Sequence, residues 1–94
     1  MSWIKQDSLR GVVLSYVLSE PGNETINSIT EDLDTGGEDR YKIYKSIFSA
    51  VENLTQRGFV KIGHGPNKSN SELWPNEMIY QESGNFEMCS TTEV

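Results

Sequence analysis

The sequence has little of several residue types, and each scarcity excludes a class of protein. It has one cysteine, Cys89, which cannot form an internal disulfide, and one histidine, His64, which cannot form a zinc site alone. No uninterrupted apolar stretch exceeds three residues, so no segment resembles a transmembrane helix. The N-terminus has no basic region followed by an apolar run, and no secretory signal is expected. We therefore expect a soluble protein of the reducing cytoplasm.

The sequence also lacks the arrangements that catalysis needs. Acid–base or nucleophilic chemistry requires a base beside a nucleophile, or two carboxylates in one cleft, and neither pattern is present. We therefore predict no catalytic residues, no metal site and no cofactor. The sequence indicates a binding protein rather than an enzyme.

Length and composition indicate one small domain. The 94 residues are 35% hydrophobic, which is enough for one small core. Residues 81–94 are polar and weakly patterned, which is typical of a mobile segment. We predict a folded domain over residues 1–80 and a mobile polar C-terminal tail over residues 81–94.

The net charge of −6 is distributed unevenly along the chain. Residues 1–39 contain two bases and eight acids, and residues 69–94 contain five glutamates and no base. Residues 40–68 contain six bases and one acid, Glu52, which gives this part a net charge of +5. The middle of the chain is therefore a basic island in an acidic protein, where an anionic partner would approach.

Two short helices are predicted in the first third of the chain. The first begins at Asp7 or Ser8, because either side chain can cap the free N–H groups of a first turn. The second covers residues 26–33, in which apolar residues recur at helical spacing. Its start is either Thr25 as a cap or a capping box that begins at Ser28.

The third predicted helix runs from about Glu38 to Gln56, and Gly58 ends it. At 100° per residue its apolar side chains form one buried stripe, whereas the arc from roughly 200° to 300° carries only polar and basic side chains. The residues on this arc are Lys42, Lys45, Ser46, Ser49, Asn53 and Gln56.

Short strands are predicted after the third helix. Residues 59–62 and 72–74 have strand character and are joined by a polar loop over residues 63–71. Residues 78–80 fit a third strand or a short helix. Trp3 and Ile4 either extend the first helix or fold back over the core.

This order of three helices followed by a two-stranded hairpin resembles the winged helix-turn-helix family. Residues 43–60 carry the resemblance, with a helix that ends in Leu54, a basic-glycine pair at Arg57 and Gly58, and an apolar strand. The resemblance covers about residues 8–75. It implies an α+β fold, a three-helix winged helix-turn-helix with a two- to three-stranded antiparallel β wing. It also implies that the third helix binds in the major groove of DNA and that the wing contacts the backbone or the minor groove.

The residue types agree with this expectation. Lysine, serine and asparagine side chains donate hydrogen bonds to phosphates and base edges, and the first part of such a helix reaches deepest into the groove. The loop of the predicted wing offers further donors beside two glycines. The predicted DNA-binding residues are Arg40, Tyr41, Lys42, Lys45, Ser46, Ser49 and Asn53 of the helix, with Lys61, His64, Asn67, Lys68 and Asn70 of the wing.

Three interpretations are open from the sequence. The first is a transcriptional regulator that binds double-stranded DNA as a homodimer, formed through the N-terminal segment or residues 76–88; its small size suggests a viral, plasmid or archaeal origin. The second is a winged-helix interaction module whose acidic flanks bind a basic protein, such as a polymerase subunit or a nuclease. The third is a replication or partition protein that binds an origin. A polar helix arc is also typical of a face that contacts only solvent.

Overall fold

A computed structural model describes residues 3–34, 36 and 39–88 of the chain. Three helices are followed by short antiparallel strands in the order of a winged helix, which confirms the predicted α+β class. The elements are β1 (Trp3–Lys5), α1 (Leu9–Ser19), α2 (Ile26–Leu33), α3 (Arg40–Gln56), β2 (Val60–Ile62), a 3₁₀ turn η1 (Lys68–Asn70), β3 (Leu73–Pro75), β4 (Ile79–Glu82) and β5 (Asn85–Met88).

Side chains cap each of the three helices. The Ser8 hydroxyl accepts a hydrogen bond from the Gly11 N–H at the start of α1. At the start of α2, Thr25 accepts from the Ser28 N–H while the Ser28 hydroxyl accepts from the Thr25 N–H. This reciprocal pair makes Thr25 the cap, and the alternative start at Ser28 is wrong. Asp39 caps α3, which begins at Arg40 and ends at Gln56, close to the predicted bounds.

The predicted wing is a two-stranded sheet of β2 and β3, with Lys61 opposite Trp74. The link between α1 and α2 adds one bridge to its other side, where the Leu73 N–H donates to the Glu24 carbonyl. Gly22 in the same link has a φ of +79°, and the Trp74 ring lies directly over it. The wing sheet is thus anchored to the first two helices.

A second sheet, in the strand order β1-β5-β4, joins the two ends of the described chain. Its hairpin turns at Ser83 and Gly84, which have φ values of +56° and +80°, as a tight two-residue turn requires. Phe86 in the central strand is only 1% exposed. The prediction of a mobile tail from residue 81 is therefore wrong for residues 81–88, and its last part, residues 89–94, lies outside the described residues.

The same sheet shows which of the two predicted conformations the N-terminal segment around Trp3 and Ile4 adopts. Ile4 pairs with Phe86 across the sheet and is 2% exposed, so the segment folds back over the core instead of extending α1. Of the two alternatives for residues 78–80, the structure shows a strand and not a short helix, and this strand, β4, pairs with β5 and not with the wing. The buried apolar side chains come from all three helices and both sheets: Ile4, Val13, Leu14, Val17, Ile26, Ile29, Ile47, Ala50, Val51, Leu54, Phe59, Val60, Leu73 and Phe86.

None of the helices in the described ranges is long and apolar enough to cross a membrane.

Candidate nucleic-acid interface

The helix α3 has one face in the core and one face in solvent. Ile47, Ala50, Val51 and Leu54 are buried, as their helical spacing requires. Lys42, Lys45, Ser46 and Ser49 on the opposite side are all exposed, and Asn53 is half-buried at the edge of the same side. The structure thus brings five of the six residues of the polar arc together on one accessible helix face, and Gln56, the sixth, is exposed at the end of the helix.

The start of α1 borders this face on one side. The Arg10 guanidinium donates to the Asn53 side-chain oxygen over 2.9 Å, and Arg10 is itself exposed. A shallow cleft runs between the two helices and is lined by Ser46 and Ser49 among others. Arg10 is therefore a further cation of this face. Sequence reasoning missed it because residues 10 and 53 meet only in the tertiary fold.

The wing loop borders α3 on the other side. The Lys68 ammonium lies 5.3 Å from the centre of the Phe48 ring and 2.9 Å from a carboxylate oxygen of Glu52. The Tyr44 hydroxyl forms a short hydrogen bond with the Ser69 hydroxyl. These contacts hold the loop against the helix, with Lys68 about half-exposed beside the α3 face.

The wing loop is folded back onto the helices. The Asn27 side-chain N–H donates to the Asn70 side-chain oxygen over 2.7 Å, which ties the loop to α2. The Asn67 side chain caps the 3₁₀ turn by accepting from the Asn70 N–H, and the nearby Ser71 is buried. Asn67 and Asn70 thus have structural hydrogen bonds, because short polar side chains readily satisfy the backbone of a turn.

Two predicted residues at the start of α3 have different surroundings. Arg40 is directed towards carboxylates, with guanidinium nitrogens 3.4 Å from Glu31 and 3.5 Å from Asp34. Its positive charge is largely balanced there. Tyr41 is 63% exposed, and the Lys45 ammonium lies 5.2 Å from the centre of its ring. Tyr41 therefore lies on the α3 face beside a cation, whereas Arg40 is paired with acids near the end of α2.

Lys61 and His64 lie on a separate surface. They line a groove of about 920 Å³ at the base of the wing sheet, together with Thr55, Gly58 and Trp74. Thr55 lies ten residues after Lys45 in α3, which is about 15 Å along the helix axis. Lys61 and His64 thus lie near the C-terminal end of α3, away from the lysines in the first half of the helix.

We call the accessible face of α3 and its two borders the α3 surface. Its cations are Arg10, Lys42, Lys45 and Lys68, and Glu52 at its border is paired with Lys68. These four positive groups and Glu52 sum to +3 on a protein of net charge −6, and the exposed Asp39 at the start of α3 is a further carboxylate nearby. The α3 surface is formed by Arg10, Tyr41, Lys42, Lys45, Ser46, Ser49, Asn53 and Lys68.

Comparison with known proteins finds no matching family model, no similar curated protein and no similar solved structure. Among the residues that the structure describes, no three histidine, cysteine, aspartate or glutamate side chains form a group that could hold a metal ion. The functional argument therefore depends on the α3 surface itself.

Proposed function

We propose that this domain binds double-stranded DNA and regulates transcription, with the α3 surface against the duplex. The observation that carries the proposal is the continuous basic and polar face of α3, with a cation at each border. An α-helix fits the major groove, and its lysines reach phosphates on either side. The hydroxyls of Ser46 and Ser49 and the amide of Asn53 are donors and acceptors for base edges.

In this proposal the wing contributes the positive charge of Lys68 and does not extend into a neighbouring groove of the DNA. Because the loop is held on α3, Lys68 lies beside the helix, at a position suited to a phosphate next to the occupied groove. The acidic residues elsewhere on the protein repel DNA and so favour approach by the α3 surface. Few phosphates are contacted, and we expect moderate affinity that depends on salt.

The experiment is a titration of labelled duplex DNA with wild-type protein at several salt concentrations. If all four cations contact phosphates, log K against log salt falls with a slope of about −3.6. Replacing Lys45 with alanine should weaken binding and make the slope about one unit shallower. Lys61→Ala is the matched control, because Lys61 is an exposed lysine outside the α3 surface and its loss should leave the slope unchanged.

A second variant increases the positive charge of the surface. Glu52→Gln removes the carboxylate that pairs with Lys68 and frees this cation for DNA. We expect binding about two- to fivefold tighter, corresponding to about 0.5–1 kcal/mol for an exposed charge. Glu87→Gln, on the second sheet, changes the net charge equally and should have little effect.

The proposal is wrong if Lys45→Ala, Lys42→Ala and Lys68→Ala all bind any duplex as the wild type does. The acidic surface of α2, where Glu31 and Asp32 are exposed, would then be tested against a basic protein partner.

A further inference from the structure

The outer edge of β4 is the feature that the proposed function does not use. In the sheet β1-β5-β4, β4 pairs with β5 on one side, and within the described residues no strand pairs with its other side. Proteins usually protect such an edge with a charged side chain, above all lysine, with a proline or a bulge, or by keeping the strand short. The sequence of β4 is Ile-Tyr-Gln-Glu, a short strand with one charged residue, Glu82, at its end and no lysine or proline.

The backbone of Gln81 faces outwards from this edge. In a two-residue hairpin the residues that flank the turn exchange hydrogen bonds, which here are Glu82 and Asn85. In an antiparallel pair, successive residues of a strand direct their backbone N–H and carbonyl groups alternately towards the partner strand and away from it. Tyr80, like Glu82, therefore bonds towards β5, and the N–H and carbonyl of Gln81 point away from the sheet. Ile79 lies in the same orientation as Gln81, although its N–H already donates to the Asn76 carbonyl over 3.3 Å.

The carbonyls of the opposite edge, formed by β1, are hydrogen-bonded within the chain. The outward carbonyl of Trp3 accepts from the Arg57 guanidinium over 3.1 Å. The outward carbonyl of Lys5 accepts from both the N–H and the hydroxyl of Ser8. Both edge carbonyls of β1 thus have partners in the chain, whereas within residues 3–34, 36 and 39–88 no strand pairs with the outer edge of β4.

The wing sheet has an open edge at β2, but its charge disfavours self-association. The Phe59 carbonyl and the Gly63 N–H bond towards β3, so Val60 and Ile62 face the open side. Antiparallel pairing of two β2 strands would place the two Lys61 side chains opposite or diagonal to each other. Like charges in these positions are destabilising. Lys61 therefore protects β2 from a second copy, whereas the only charged residue of β4, Glu82, lies at the end of the strand.

An aromatic row crosses the outer face of the second sheet and ends at β4. Trp3, Glu87 and Tyr80 are direct cross-strand neighbours, and the Tyr80 hydroxyl donates to the Glu87 carboxylate over 3.3 Å. Trp3 and Tyr80 are 48% and 41% exposed, and Met78 just before β4 is 39% exposed. The open edge is thus flanked by large apolar side chains that another surface would cover.

We infer that β4 pairs antiparallel with β4 of a second copy, about a two-fold axis at Tyr80. The two Tyr80 rings then lie side by side, Ile79 lies opposite Gln81, and Met78 lies opposite Glu82. No like charges meet, and the aromatic rows of the two copies join across a six-stranded sheet. Four-residue strands bury little area, so the dimer is reversible and depends on concentration. This inference does not depend on DNA binding.

The experiment measures the mass of the 94-residue chain in solution by light scattering over a range of concentrations. We expect the wild type to approach twice the chain mass of 10.6 kDa as concentration rises to about 1 mM. Gln81→Pro removes the outward N–H without breaking a bond to β5, and proline is tolerated at such an edge. It should be a monomer with unchanged circular dichroism. Gln81→Ala keeps the N–H and should dimerise as the wild type does.

A cross-link keeps the inference testable if Gln81→Pro fails to fold. In a Cys89→Ser background, Tyr80→Cys places two thiols opposite each other across the two-fold axis, at a separation that a disulfide can span. Oxidised glutathione should then link this variant much faster than Gln56→Cys, whose thiol lies on α3. A monomeric wild type at about 1 mM, a Gln81→Pro dimer, or equal cross-linking of both variants would each overturn the inference.

Discussion

Phe86→Ala tests whether the second sheet belongs to the folded core. Phe86 lies in β5, the central strand of that sheet, and its ring is 1% exposed. It pairs with Ile4, which is also buried. If the sheet packs as described, removal of the ring leaves a cavity between the sheet and the helices.

The expected loss follows from the size of the removed side chain. Phenylalanine-to-alanine changes at buried sites cost about 3–5 kcal/mol. A domain of this length has a total unfolding free energy of roughly 5–14 kcal/mol, so the variant loses a large part of its stability. At about 4–8 °C per kcal/mol, the midpoint of thermal unfolding should fall by at least roughly 12 °C.

The assay is urea unfolding followed by tryptophan fluorescence. Trp3 lies in the second sheet and Trp74 in the wing sheet, so single-tryptophan variants report each sheet separately. Coincident transitions would show that both sheets unfold together. Glu87→Ala is the matched control on the outer face of the same strand and should cost no more than about 1 kcal/mol. A loss below about 1 kcal/mol for Phe86→Ala would refute the packing of this sheet.

Four further substitutions test local features of the fold by urea unfolding. Gly22→Ala should cost about 2–5 kcal/mol, because the φ is positive and the new Cβ would lie 2.4 Å from the Trp74 ring. Gly84→Ala, with a similar φ but open space around it, should cost only about 1–2 kcal/mol, and equal losses would contradict the Trp74 contact. Thr25→Ala should cost about 1 kcal/mol through loss of the α2 cap, and an unchanged midpoint would argue against that cap. Arg40→Ala should cost at most about 1 kcal/mol, because its two ion pairs are exposed, and it should leave DNA affinity unchanged.

The helices could be predicted from the sequence because their signals are local. The α3 face follows from a 3.6-residue period, and a cap of α1 at Asp7 or Ser8 follows from side-chain chemistry next to the helix. The structure shows that Ser8 is the cap. For α2, the sequence offered two starts, and the hydrogen bonds between Thr25 and Ser28 decide between them.

The hairpin of β4 and β5 could not be predicted because its partner strand lies at the other end of the sequence. Phe86 looks isolated among polar residues, and its burial depends on β1, about 80 residues away. The turn also has a non-glycine residue, Ser83, at a positive φ. Such a residue gives a weaker turn signal than glycine does.

The wing residues show how a residue type alone misleads. Asn67 and Asn70 have the side chains of DNA-binding residues, but the same amides also satisfy a turn backbone and a neighbouring helix. Arg40 is basic, but the acids at the end of α2 are close enough to pair with it. Which of these roles a side chain has depends on its tertiary neighbours.

The pairing of β1 with β5 has a consequence for protein synthesis. The first strand leaves the ribosome early, but its neighbour is complete only when residue 88 has been made. Until then Ile4 has no strand beside it, and contacts between distant residues form slowly. The helices and the wing are thus made before the sheet that closes the core, and a nascent chain halted before residue 85 would present an apolar surface to chaperones.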